Sequence, residues 1–224
     1  MRSWILTVSL VVSSLAVAGQ STDVREVGEF SELEVSGGIE LVVTKGKPSV
    51  TLEGDEAELK KLSTTVSKGR LVIERKGFGL SFGHVIARVS MPSLSKLVTS
   101  GGVTATVTDV AAKDFTVDAS GGGSVKAQLD VETLVFDGSG GVTTKLSGRA
   151  TKLVADLSGG VSFDGRALST KAVVLDASGG VNAKLTVSGG ITGTASGGTS
   201  VSVFGNPTAA QLETSGASHV DYVK

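Results

Sequence analysis

Through the middle of the chain, apolar and polar positions alternate with a period of two. The clearest stretches are Phe115-x-Val117-x-Ala119, Leu134-x-Phe136-x-Gly138, Leu153-x-Ala155-x-Leu157 and Val173-x-Leu175-x-Ala177. Such alternation predicts strands with one face buried. Each stretch runs into Ser-Gly-Gly. A second alternating set opens behind the glycines, at Val103-x-Ala105-x-Val107 and Val125-x-Ala127-x-Leu129, with Val142 and Val161 in the same place in later copies. Two short strands joined at a corner are therefore expected in each unit. Glycine suits that corner because it tolerates positive φ and close backbone approach.

The unit repeats. Ser-Gly-Gly begins at Ser100, Ser120, Ser139, Ser158, Ser178 and Ser196, and a worn copy, Ser215-Gly216-Ala217, closes the series, with gaps of 20, 19, 19, 20, 18 and 19 residues. Fixed-period self-similarity predicts a solenoid, in which each repeat buries its apolar face by stacking on its neighbours. The predicted fold is all-β, a parallel β-solenoid (β-helix) with coils of about 19 residues. Its coils repeat at ~4.8 Å, so equivalent residues form columns along the axis.

Residues 19–98 are less regular and are expected to form an N-terminal cap and early coils, with the regular coils at 99–224 completing one domain. An early Ser36-Gly37-Gly38 is followed by alternating Ile39, Leu41 and Val43. Asp55 to Leu62 predicts one short helix, with Asp55 and Glu58 spaced as a capping box. Residues 70–98 predict two strands around a glycine-rich hairpin. The C-terminal "SGASHVDYVK" is expected to cap the last coil and block end-to-end association. Residues 1–18 read as a signal peptide: Arg2, an apolar run, and the small-residue site Ala16-Val17-Ala18. No later stretch approaches the ~18 apolar residues of a membrane span. An exported protein, periplasmic or at the cell surface, is the expectation.

Composition narrows the function. Cleavage removes Trp4, the single tryptophan, and takes the charge count from 21 basic against 22 acidic residues to 20 against 22. Near balance argues against nucleic acid as a partner. With no cysteine, there is neither a disulfide nor a lipid-attachment thiol. No cofactor is expected.

The opening "FSELEVSGGIELVVTKG", the strand "GRLVIERKG", the stretch "ARVSMPSLSKLVTSGG" and the recurring Ser-Gly-Gly coils together resemble the head GIN domain family of putative auto-transporter adhesins. The resemblance covers nearly all of the mature chain. It implies a parallel β-solenoid in a periplasmic or cell-surface setting, with adhesion as the family's label. No C-terminal region is long enough to form a translocating barrel, which favours periplasmic residence.

The acid that precedes the corner recurs as well. Asp118, Asp137, Asp156 and Asp176 each stand two residues before the Ser, with Thr194 and Glu213 continuing the column. Alternation turns them outward. Stacked carboxylates repel, so the column calls for neighbouring cations, raised pKa values or a bound metal ion. These four Asp are the candidate metal site. Lys126, Lys145 and Lys184 recur six residues after the Ser, and Lys113, Lys152 and Lys171 thirteen after it, as candidate counter-charges. Neighbouring coils also supply carboxylate pairs at the ~5 Å separation of retaining glycosidases. Every coil supplies one, however, and His84 and His219 match neither a catalytic dyad nor a zinc motif. Phe78 and Phe82, among glycines, are the candidate partner contact. The reading is an exported, non-enzymatic, adhesin-like binding protein whose partner is a surface polymer, polysaccharide or envelope protein. A carbohydrate-active enzyme on the same scaffold and an envelope structural protein are the alternatives.

Overall fold

A computed structural model describes residues 21–77 and 83–223. The expected signal peptide and the Phe78/Phe82 contact lie outside the described residues. The chain is about 75% strand and forms a parallel β-solenoid of about 7 turns, its coils about 19 residues apart, as the Ser-Gly-Gly period predicts.

The N-terminal part is built from β1 (Ser21–Arg25), β2 (Glu32–Ser36), β3 (Glu40–Lys45), β4 (Ser49–Gly54), the helix α1 (Glu56–Leu59), β5 (Leu62–Ser67), β6 (Arg70–Arg75), β7 (Val85–Met91) and β8 (Lys96–Ser100). Here order in space departs from order in sequence. β2 lies between β6 and β8, parallel to both, while β3 lies between β7 and the first regular coil. The expected hairpin over residues 70–98 is therefore not formed. β6 and β7 occupy the two sides of one coil, in register with β2 and β3. The physical reason is that each strand gains an apolar column to join, Leu71 and Ile73 beside Leu33 and Val35, all fully buried. A two-stranded hairpin would leave that face in water.

Beyond this coil the stack is finished by antiparallel strands: β5 on β6, β4 on β7, and β1 on β4. α1 packs against β4 and β1, with Leu59 buried. Asp55 is its N-cap but makes no side-chain capping bond, so the predicted box is absent. Glu58 is drawn away to Lys61 at 2.6 Å and to Arg75.

The regular coils are β9 (Thr104–Gly121), β10 (Ser124–Gly140), β11 (Thr143–Gly159), β12 (Ser162–Gly179) and β13 (Asn182–Gly197), each extended around most of a turn. β14 (Ser200–Phe204), β15 (Ala209–Thr214) and β16 (His219–Val223) complete the stack. Parallel register brings Phe115, Leu134, Leu153, Val173 and Ile191 into one inward column, every member at most 2% exposed. Phe136 and Phe163 meet edge to face at 5.1 Å. Burying each such side chain stabilises the fold by about 1.5–3 kcal/mol.

At the corner, Gly140 shows why the motif needs its first glycine. Its φ is 80°, and a Cβ there would stand 2.7 Å from the carbonyl oxygen of Gly121 in the coil below. The second glycine of each pair holds the stack together through its backbone, Gly141 N–H donating to Gly121 O at 2.6 Å and Gly160 N–H to Gly140 O at 2.7 Å. At the C-terminal end, residues 219–223 do not fold over the last coil. They form β16, parallel to β14 and in register with it.

Candidate functional site

The strand segment before each corner carries the acids. Register places Asp118, Asp137, Asp156 and Asp176 opposite one another in successive coils, and Thr194 and Glu213 extend the line. Asp137, Asp156 and Asp176 are exposed, and Asp118 is half-buried. The column thus exists as alternation predicts, on the outer face, with coils at the ~4.8 Å strand spacing.

Its two ends are relieved differently. Lys96 Nζ lies 2.6 Å from Asp118 Oδ2, and Thr194 Oγ1 donates to Asp176 Oδ1 at 2.9 Å. Asp137 sits between like charges. Desolvation by its neighbours, then Asp156 and Asp118, push its carboxyl above the ordinary value, and Lys96 only partly opposes them. Among the described residues, no three His, Cys, Asp or Glu side chains converge on a point where a metal ion would sit. The acids form a line.

Lys96 was not among the candidate counter-charges, because it occupies position −4 from Ser100, where later coils carry Thr or Val. The lysines that were candidates lie elsewhere. Lys126 and Lys145 stack beyond the corner, in a column with Asp164 and Lys184. Arg166 bonds Asp164 there and holds its carboxyl down at about 2. Lys113, Lys152 and Lys171 do not form a column at all. Lys152 stands opposite Thr133 and Ala172. Coil lengths differ by a residue or two, and the register shifts between Ala127 and Leu129 and between Lys145 and Ser147 absorb the difference.

A second row runs beside the acids. Val135, Val154 and Val174 stand in register two residues before the Asp, flanked by Thr116 and Thr192. Val135 is 38% exposed although it is in the middle of the solenoid. Sequence reading passed over this row because its eye was on the inward phase. The signal was a β-branched residue four before each Ser from Ser120 to Ser196.

The outer face therefore presents a flat β-branched stripe about 7 Å from a carboxylate stripe, both repeating with the coil. Carboxylates accept hydrogen bonds from hydroxyl or amide donors, and a methyl-covered stripe offers apolar contact without a cleft. The histidines stay apart from this face. His84 Nε2 lies 2.9 Å from Glu40 and His219 Nε2 lies 2.9 Å from Asp221, all four side chains well exposed.

A family model described as "Putative auto-transporter adhesin, head GIN domain" matches residues 29–207. No curated protein matches the chain. Among solved structures, a "putative adhesin" from Bacteroides fragilis is 17% identical, with a TM-score of 0.84, covering 91% of this chain and 97% of that one. A "putative adhesin" from Parabacteroides merdae is 16% identical, with a TM-score of 0.63 over 92% and 97% of the two chains. A "Putative lipid binding protein" from Parabacteroides distasonis is 14% identical, with a TM-score of 0.61 over the same shares. At these identities the likeness shows a shared fold. No helix of the described residues is long and apolar enough to cross a membrane.

Proposed function

The chain belongs to the family described as "Putative auto-transporter adhesin, head GIN domain", and from that premise we propose that it is an exported, non-enzymatic, adhesin-like protein, periplasmic or at the cell surface. Its ligand is an extended, hydroxyl-rich envelope polymer laid along the acid face. The observation that carries this reading is the pairing of two rows in register, Asp137 and Asp156 beside Val135 and Val154. A repeating surface without a cleft suits a repeating ligand. Carboxylates receive its hydroxyl donors, and the valines pack against its C–H faces. Catalysis is disfavoured because the acids stand in a single line along one face, whereas glycoside cleavage needs two carboxyls flanking the scissile bond.

The test is retention of the purified protein on immobilised neutral envelope polysaccharide, with an Asp137→Asn/Asp156→Asn double variant and, separately, Val154→Lys. Each variant is expected to weaken binding about tenfold or more, equivalent to ~1.4 kcal/mol. Equal retention of variants and parent, or no retention of the parent on any polysaccharide fraction, would overturn the reading.

A further inference from the structure

The two ends of the stack are finished differently, on antiparallel β1 and β5 at the N-terminal end and on parallel β16 at the C-terminal end. β16 pairs with β14 on one side and, among the described residues, with no strand on the other. His219 N–H donates to Thr199 O at 2.8 Å. Backbone alternation then aims the N–H and C=O groups of Val220 and Tyr222 at the free edge. Edge strands are commonly guarded by Pro, Lys or a bulge. β16 has neither Pro nor Lys within His219–Val223, and its guards are its shortness and Asp221. At this end Thr192, Thr194 and Glu213 of the acid face, with Ala210, Leu212 and Tyr222, line an open concavity of about 570 Å³. Tyr222 is 48% exposed, and Val220 is only partly buried against the core.

We propose that this end docks a second copy of the chain, tail to tail, with the two β16 strands antiparallel about a twofold axis at Val220. Two observations favour a second copy. The first is that the fold already accepts antiparallel strands on a coil edge, as β4 on β7 and β5 on β6 show. The second is that β16 is complementary to itself. With Val220 opposite Val220, the outward-aimed backbone groups exchange both hydrogen bonds, and His219 faces Asp221 of the other copy twice. Sliding the pair by one further step puts Asp221 opposite Asp221, which like-charge repulsion disfavours. A twofold pairing of this kind closes as a dimer and leaves no β16 edge free to propagate a fibre.

Because the sequence lacks cysteine, Val220→Cys introduces a single thiol. In the proposed register its Cα lies about 5.5 Å from its mate, within disulfide range. Mild oxidation is expected to convert this variant to a covalent dimer and to leave Ser124→Cys, in the middle of the solenoid, monomeric. By analytical ultracentrifugation the parent protein should rise with concentration from monomer to dimer and stop there. His219→Asp, an exposed change that leaves the core untouched, should shift it back to monomer with an unchanged circular dichroism spectrum. A parent that stays monomeric at every concentration, assembly beyond the dimer, or a dimer undiminished by His219→Asp would overturn the proposal. None of these readouts depends on the polymer bound at the acid face.

Discussion

The first and last coils use the same corner and meet solvent in opposite ways. At the N-terminal end, Ser36-Gly37-Gly38 is overlaid by β6, and Arg75, with a side chain only 2% exposed, ties the layers together. Its guanidinium binds Glu58 and donates to the carbonyls of Gly37 at 3.0 Å and Gly83 at 3.3 Å. At the C-terminal end, Ser215-Gly216-Ala217 leads into β16, where Tyr222 and Val223 are 48% and 39% exposed. A repeat specifies how coils stack but not how a stack ends. Each end must therefore be solved by residues outside the repeat, and the N-terminal solution took several strands, a helix and a buried ion pair.

The largest effect is expected at the N-terminal end. Arg75→Ala removes one of the two cations at Glu58 and orphans the carbonyls of Gly37 and Gly83, each costing about 1–3 kcal/mol when left unpaired, a loss read by urea unfolding. The same corner position then offers a direct contrast. Gly37 has φ 92° and its Cβ would stand 2.8 Å from Arg75 Cβ, whereas Gly216 has φ 70° and its nearest contact would be 3.1 Å. Gly37→Ala is expected to cost about 3 kcal/mol and Gly216→Ala about 1. Equal costs would show that the two ends are equally constrained.

The smallest effect lies between the ends, on the acid column. Asp137 has a raised carboxyl pKa in the folded chain, caused first by desolvation and then by Asp156 and Asp118. A pKa raised by folding means that the group's contribution is fully favourable below the unfolded carboxylate range and is lost as pH rises through the folded value. Asp137→Asn, which never ionises, should raise the melting temperature at pH 7. The gain should vanish below about pH 4. A destabilised variant at neutral pH would mean that the carboxylate makes a favourable contact that outweighs the repulsion.

Much of the regular solenoid was legible in the sequence because its rules are local. Period two assigns inward and outward residues, so Phe115, Leu134 and Leu153 were placed in the core and Asp118 to Asp176 on the surface. The period of about 19 set the coil, and the glycines set the corners. The lysines were harder, because their column depends on whether coils of unequal length keep register beyond the corner. Lys126 and Lys145 kept it, while Lys113, Lys152 and Lys171 lost it to the bulges.

By itself, the sequence determined the repeating unit and the composition of each face, since both follow from backbone alternation and from where a Cβ is tolerated. The two short strands expected per coil are one strand of 16–18 residues that bends around the turn, because coil-to-coil pairing continues through the bend. Tertiary structure alone decided that β6 and β7 lie outside β2 and β3, that Lys96 reaches Asp118 in the next coil, and that the stack ends on antiparallel strands at one side and on a parallel strand at the other. Those outcomes depend on which distant strands pair. Backbone hydrogen bonds are indifferent to residue type, so pairing is chosen by the apolar columns completed across it.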